Sequence, residues 1–260
     1  MEYATLPLIC AAALIASALT FFSGFGLGTL LMPAFAIFFP VEQAIALTAV
    51  VHFLNGLFKV FLIGKHADWR IVAWFGGPAI LFSLLGAWML QLLTQYESLH
   101  EYVLRGHTFQ ITPVKLVVGL LLVVFTLLEL LPVFQQLTFG PRVLPVGGAL
   151  SGFFGGLSGH QGALRTAFLS KAGLSKEAFL GTGVVIACLI DISRLGVYSR
   201  RFLAQYEQLD YSLLAAAVVA AFLGSLIGNR YLKKMTLTAL QRIVAASLFI
   251  FGVALAAGLV

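Results

Sequence analysis

Apolar stretches of 20 residues or more recur along the whole chain, and this pattern restricts most strongly what the chain can fold into. A helix needs roughly 20 residues to cross a hydrocarbon core about 30 Å thick, whereas membrane β-barrels show alternating segments of roughly ten residues. Only 10% of the residues are charged, against roughly 25% in soluble domains. The sequence therefore predicts an all-α fold, a polytopic integral membrane helical bundle. Its eight expected segments are approximately 6–39, 41–64, 70–93, 113–131, 143–170, 176–199, 210–232 and 238–259.

Two of these segments contain glycine-rich breaks. The first has 34 residues, and a continuous helix of that length would measure about 51 Å, too long for the bilayer core. It contains Gly24, Gly26 and Gly28, and each glycine weakens a helix by roughly 1 kcal/mol relative to alanine. The fifth segment has similar glycines around Gly159 and Gly162. We therefore expect both segments to be broken helices.

An internal duplication relates the two halves of the chain. Residues 83–86 (SLLG) recur 142 residues later as 225–228 (SLIG), and residues 42–51 match 176–185 at an offset of 134. The offset changes only at a predicted loop. We expect a single membrane domain spanning residues 1–260. Its two homologous repeats would cover about 6–131 and about 143–259.

The orientation follows from the Lys and Arg residues near the segment ends, which are enriched on the inner side of a membrane. If the broken segments fold back as re-entrant hairpins, an outside N-terminus puts nine of these residues inside and four outside. If every segment crosses once, the numbers are eight and five. Both arrangements predict both termini outside. The first makes the repeats inverted and the second makes them parallel, and the sequence leaves both open.

Several classes of protein are disfavoured by what the sequence lacks. The formal net charge is +6, but the basic residues punctuate the apolar segments and form no stripe with aromatics, so no nucleic-acid partner is expected. Cys10 and Cys188 lie in apolar runs, which argues against a disulfide or a metal site. Neither a phosphate-binding loop nor a His-Glu-x-x-His motif occurs. We therefore expect no cofactor, no metal and no ATPase activity.

The only sizeable polar connection is the segment 94–112. It contains Glu97, His100, Glu101 and Arg105, with no spacing typical of a ligand site on a helix. We expect it to be a solvated or interfacial loop.

Repeats with broken helices at corresponding positions are typical of transporters whose site lies between the halves near the bilayer midplane. Arg165 and Arg194 outnumber Asp191 among the charged residues deep in the segments, which favours an anionic substrate. Two alternatives stay open: a membrane assembly protein that transports nothing, and a membrane-embedded enzyme. The enzyme fits less well, because an intramembrane aspartyl protease needs two facing Asp residues and only Asp191 lies deep.

Arg165 is the main candidate for anion binding. It follows Gly159 and Gly162, which would place it in the first turn of the half-helix after the break, where backbone N–H groups also favour an oxyanion. The alternative is that Arg165 snorkels to the membrane surface. Asp191 and Arg194 are three residues apart and so can share a helix face, either as a structural ion pair or as a pair with which the substrate competes.

The remaining candidates are uncharged or titratable polar residues in or beside the breaks. His160 could couple transport to protons, or could bond to backbone carbonyls freed by the break. Thr48 and Thr182 could line a cavity or bond within their own helices. The full set of these weaker substrate-binding candidates is Ser158, His160, Gln161, His52, Asn55, Thr48 and Thr182.

The chain resembles the TauE/SafE sulfite exporter family, also called the 4-toluene sulfonate uptake permease family. The resemblance covers essentially the whole chain and rests on the paired glycine-rich motifs, each followed by a helix with a central Thr and then by an Asp-aromatic start and an S-L-[LI]-G helix. It implies a multi-pass carrier in the cell membrane that moves sulfite, organosulfonates or related small anions, generally outward. Family members commonly have a denser glycine string than residues 26–29 and 158–162 of this chain. The substrate, the coupling ion and any homo-oligomeric state stay open, with protons as one candidate ion.

Overall fold

The computed structural model describes residues 2–23, 27–130, 141–170, 172–204, 211–231 and 238–260. Within these ranges the chain forms ten α-helices, two short 3-10 turns and one β-hairpin. The first five helices are α1 (Glu2–Ser23), α2 (Leu27–Ala36), α3 (Val41–Ile63), α4 (Trp69–Leu93) and α5 (Pro113–Leu130). The others are α6 (Leu144–Ser158), α7 (Gly162–Leu169), α8 (Lys176–Ala204), α9 (Tyr211–Tyr231) and α10 (Thr238–Ala256).

Among the described residues, four stretches are long and apolar enough to cross a membrane: Val41–His66, Trp69–Leu93, Lys176–Ser199 and Tyr211–Arg230. Four shorter apolar stretches accompany them, at Thr5–Leu19, Leu27–Ala36, Pro113–Leu128 and Ala245–Ala256. Large apolar side chains such as Phe61, Leu81 and Ile250 are exposed on these helices, as expected of surfaces that face lipid. The predicted polytopic all-α membrane fold is confirmed.

Each of the two long segments contains two described helices. The first contains α1 and α2; the break expected at Gly24 and Gly26 lies outside the described residues, and Gly28 lies within α2 rather than in a break. The second is divided at Gly159, which caps α6 with φ of 83° and donates its N–H to the carbonyl of Gly155 at 3.0 Å. A side chain is strained at this backbone conformation, so glycine fits the position. Gly162 begins α7.

A β-hairpin replaces the loop that we expected between α4 and α5. Strand β1 (His100–Leu104) pairs antiparallel with β2 (His107–Ile111). The turn residues Arg105 and Gly106 both have positive φ, as two-residue hairpin turns require. The hairpin forms because Tyr102 stacks on Phe109 across the strands and donates its hydroxyl to the carbonyl of Ala257 at 2.6 Å.

Helices α4 and α6 approach each other closely through a row of glycines spaced four residues apart. In lipid, close backbone packing of this kind replaces the hydrophobic effect as the main source of helix association. A Cβ atom added to any glycine of the row would collide with a backbone carbonyl of α4. The colliding pairs are Gly148 with Phe75, Gly152 with Ala79, and Gly156 with Ser83.

Helices from the two halves of the chain are interleaved. Helix α1 packs against α9 and α6 packs against α4, so the first helix of each half lies on a late helix of the other half. Helix α3 packs against α8, and α5 packs against α10. The buried apolar core follows these pairs, with Phe35, Ile45 and Leu122 in one cluster and Phe75 and Ile186 in another.

Candidate functional site

A small cavity lies among α2, α3, α7 and α8. Its volume is about 40 Å³, whereas a single water needs roughly 10–15 Å³ measured in the same way. The cavity therefore has room for an ion of a few heavy atoms. Its lining residues are Leu27, His52, Asn55, Gly56, Lys59, Arg165, Thr166, Leu169, Phe179, Leu180, Gly183, Val184 and Ala187.

Arg165 lies in the first turn of α7, where the sequence placed it, and lines the cavity. Its side chain is only 4% exposed, so the snorkelling alternative does not describe this structure. Its Nη1 donates to Oε1 of Gln161 at 2.9 Å, which holds the guanidinium against the break that precedes α7. Gly183 of α8 lies beside it, since a Cβ there would be in ordinary van der Waals contact, 3.7 Å from Nε of Arg165.

Asp191 is the centre of a charged cluster, which we define as His52, Gln161, Asp191 and Arg194. Arg194 contacts Oδ1 of Asp191 through Nε at 3.0 Å and Nη2 at 2.8 Å, and both side chains are fully buried. Gln161 donates Nε2 to the same oxygen at 2.8 Å. Nδ1 of His52 lies 2.5 Å from the other oxygen, Oδ2. Because His52 lines the cavity and Asp191 does not, His52 connects the cavity to the buried ion pair.

The second break holds its polar side chains away from the cavity wall. His160 is buried, stacks parallel to Phe125, and shares a hydrogen bond of 3.0 Å between its Nδ1 and the Ser158 hydroxyl. Among the residues that the structure describes, Nε2 of His160 has no hydrogen-bond partner. Ser158 also donates to the carbonyl of Phe154 at 3.1 Å. Neither Ser158, His160 nor Gln161 lines the cavity, so any contact of these residues with substrate needs a rearrangement.

The two candidate threonines occupy different environments. The hydroxyl of Thr182 accepts a hydrogen bond from the backbone N–H of Asp68 at 2.8 Å, and Asp68 in turn caps α4 by accepting from Arg70 and Ile71. Thr182 therefore holds the start of α4 against α8. Thr48 is buried, and within the described part of the chain its hydroxyl has no hydrogen-bond partner. Neither threonine lines the cavity.

The two broken regions meet near the site. A Cβ added to Gly28 would lie 3.4 Å from the carbonyl oxygen of Gly159, and 3.7 Å and 3.9 Å from side-chain carbons of His52 and Thr48. Gly28 of α2 thus faces the end of α6 next to the candidate residues. Gly28 of the first glycine-rich motif therefore lies next to Gly159 of the second.

A neutral cluster formed by Ser17, Asn55 and Ser225 joins α1, α3 and α9. Asn55 donates Nδ2 to the Ser17 hydroxyl at 3.1 Å and accepts from the Ser225 hydroxyl at 2.8 Å, and the two hydroxyls lie 2.8 Å apart. All three side chains are buried. Asn55 was a sequence candidate, whereas Ser17 and Ser225 were not, because serines in apolar helices carry no distinctive spacing.

Lys59 also lines the cavity, although it was not among the sequence candidates. A lysine side chain is long enough to snorkel to a membrane surface, yet this one is only 8% exposed. A signal was present in the spacing, because His52, Asn55 and Lys59 are three and four residues apart and so share one face of α3.

Comparison with known proteins identifies the family. A family model for the sulfite exporter TauE/SafE matches residues 9–255. No curated protein and no solved structure matches the chain. The family match covers nearly all of the chain, including both broken segments and every residue of the site, and it agrees with the helical membrane fold. The chain therefore belongs to the sulfite exporter TauE/SafE family, a family of multi-pass membrane transporters.

Proposed function

We propose that the protein is a secondary transporter that moves a small oxyanion, sulfite or an organosulfonate, outward across the cell membrane. The observation that supports this proposal most directly is the positive cavity beside the second break. Arg165 and Lys59 line it, and none of the described residues that line it is acidic. A buried cavity with this lining attracts an anion and repels a cation.

Arg165 would be the principal anion-binding residue. A guanidinium offers two parallel N–H donors to a pair of sulfonate oxygens, and the N-terminus of α7 adds a favourable dipole at the same place. Gln161 would position Arg165 from one side while bonding Asp191 from the other. The charged cluster thus ties the anion-binding arginine to α8 through one amide side chain.

His52 offers a route for coupling to protons. It bonds Asp191 on one side and faces the cavity on the other, so a change in its charge would act on a bound anion directly. We propose protons as the coupling ion for this reason. The rest of the charged cluster would keep its pairing, because Arg194 neutralises Asp191 without help from His52.

Transport would move the two repeats relative to each other around this site, which we place near the bilayer midplane with both termini outside. The interleaved pairs α1 with α9 and α4 with α6 agree with a two-fold relation between the repeats, about 6–131 and about 143–259. Each cluster would then join residues of both repeats, Ser17 and Asn55 with Ser225 in the neutral cluster and His52 with Asp191 in the charged cluster.

Reconstitution into liposomes tests the function. Liposomes containing the purified protein are loaded with labelled sulfite, sulfoacetate, sulfate or acetate, and efflux is followed with and without a pH gradient. We expect efflux of sulfite or sulfoacetate above that of empty liposomes, accelerated by the gradient. Efflux equal to that of empty liposomes for every anion would contradict the proposal and would favour a membrane assembly role.

A further inference from the structure

Two cationic side chains of different kinds line the same cavity. Arg165 comes from α7 and Lys59 from α3, so they approach the cavity from separate helices. Arg165 is 4% exposed and Lys59 is 8% exposed, which keeps both charges inside the protein. An ionisable group at this depth is costly, and it is commonly kept for a substrate or an ion.

The acidic residue of the charged cluster does not lie on the cavity wall. Asp191 is the one carboxylate among the buried residues that the structure describes. Both of its oxygens are engaged, Oδ1 by Arg194 and Gln161, and Oδ2 by His52. Its charge is matched by Arg194, which is equally buried. The described residues that line the cavity include Lys59 and Arg165 and no acidic residue.

We propose that Lys59 is a specificity-determining residue that, together with Arg165, selects anions with two negative charges over singly charged anions of the same shape. This inference rests on the proposed function, since it concerns the anion that occupies the same cavity. Arg165 would hold two oxygens through its planar fork, whereas the ammonium group of Lys59 acts as a compact charge toward a further oxygen. A singly charged anion of the same shape brings less negative charge to these two cations, so it is held less strongly.

Sulfate and methanesulfonate make a suitable pair of probes. Both have a tetrahedral sulfur, which carries four oxygens in sulfate and three oxygens and a methyl group in methanesulfonate. Sulfate carries one more negative charge. Each is used to compete with labelled sulfite transport in liposomes, and the ratio of the two inhibition constants reports charge selection. For the wild-type protein we expect sulfate to compete at least tenfold more strongly than methanesulfonate.

The variant Lys59→Met removes the charge and keeps most of the side-chain volume. We expect it to weaken competition by sulfate about ten- to hundredfold, the loss of one charge-assisted contact, while competition by methanesulfonate changes much less. Lys59→Arg keeps the charge and should retain the preference for sulfate. Lys65→Met is the matched control, because Lys65 is exposed six residues further along and lies outside the cavity.

An equal loss for both probes in Lys59→Met, or no loss, would overturn the inference while leaving anion transport in place. If Lys59→Met does not fold, the ratio of the two inhibition constants in the wild-type protein still tests the inference. A wild-type protein that prefers methanesulfonate to sulfate would overturn the inference as well. A wild-type protein that transports no anion would instead overturn the proposed function and this inference with it.

Discussion

The charged cluster around Asp191 and the neutral cluster around Asn55 are both buried polar networks that touch the cavity. Each joins helices that are distant in sequence, and each has one member on the cavity wall, His52 in the first and Asn55 in the second. The neutral cluster contains no charge and pairs its own donors and acceptors. The charged cluster contains a buried ion pair and borders two cations. The comparison indicates that one network mainly joins helices, whereas the other also sets the electrostatic field of the site.

The largest effect is expected from breaking the ion pair. Asp191→Leu leaves the charge of Arg194 buried without its partner, so we expect a loss of about 3–5 kcal/mol in the free energy of unfolding. Equilibrium unfolding of the purified protein in detergent micelles measures it. The double variant Asp191→Leu/Arg194→Met should recover much of the loss, and a double variant as unstable as the single one would contradict this account.

The next largest effect is expected from replacing Arg165, the cation bonded to Gln161 of the charged cluster. Arg165→Ala should weaken the apparent affinity for sulfite about ten- to hundredfold, because a charge-assisted contact of roughly 1.5–3 kcal/mol is removed. Arg165→Lys keeps the charge but loses the two-donor fork, so an intermediate affinity is expected. Liposome transport at varied sulfite concentration measures both. Arg142→Ala serves as the control, since Arg142 is exposed and outside the cavity. Wild-type affinity in both Arg165 variants would show that Arg165 does not bind the anion, and Arg194 would become the next candidate.

A substitution in the neutral cluster should reduce the free energy of unfolding by a smaller amount. Ser225→Ala removes a donor to Asn55 and a neighbour of Ser17, and it leaves no charge unpaired. We expect a loss of about 1 kcal/mol in the free energy of unfolding and little change in sulfite affinity. The same unfolding and transport assays apply. A loss as large as that of Asp191→Leu would remove the distinction between the two clusters.

The smallest effect is a change in pH dependence, and it separates the two histidines of the site. His52 lines the cavity, so a change in its charge would act on a bound anion and give sulfate competition a pH profile. His52→Gln should flatten this profile. His160→Gln should alter it less, because His160 lies off the cavity wall. Competition by sulfate against pH measures both variants, and the reverse ranking would make His160 the coupling residue.

Much of the fold could be predicted from the sequence because few backbone structures are stable across a lipid bilayer. The length of the apolar stretches indicated the helices, and the clustered glycines indicated the breaks at 24–28 and around Gly159. The hairpin at 100–111 was not predicted, since its stability comes from the Tyr102 and Phe109 pair and from contact with Ala257. Such contacts between distant residues leave no local pattern.

The candidate site was predictable in part for a similar reason. Arg165, Asp191 and Arg194 stood out because charged residues are rare within apolar segments, and the structure joins them through Gln161. Lys59 was passed over because a lysine side chain is long enough to reach a membrane surface, and only the packing around it decides where the ammonium group lies. Ser17 and Ser225 were missed because their partnership spans the whole chain.

The interleaving of the two halves has a consequence for how the protein is made. Ser17 of α1 meets Ser225 of α9, a residue 208 positions later. At the usual synthesis rate of about 5–20 residues per second, that residue leaves the ribosome roughly 10–40 seconds after Ser17. Until then α1 lacks the helix on which it packs, and Asn55 lacks one of its partners. The first half of the nascent chain must therefore wait in the membrane for the second, held by lipid, by the insertion machinery or by a chaperone, before the carrier can close around its cavity.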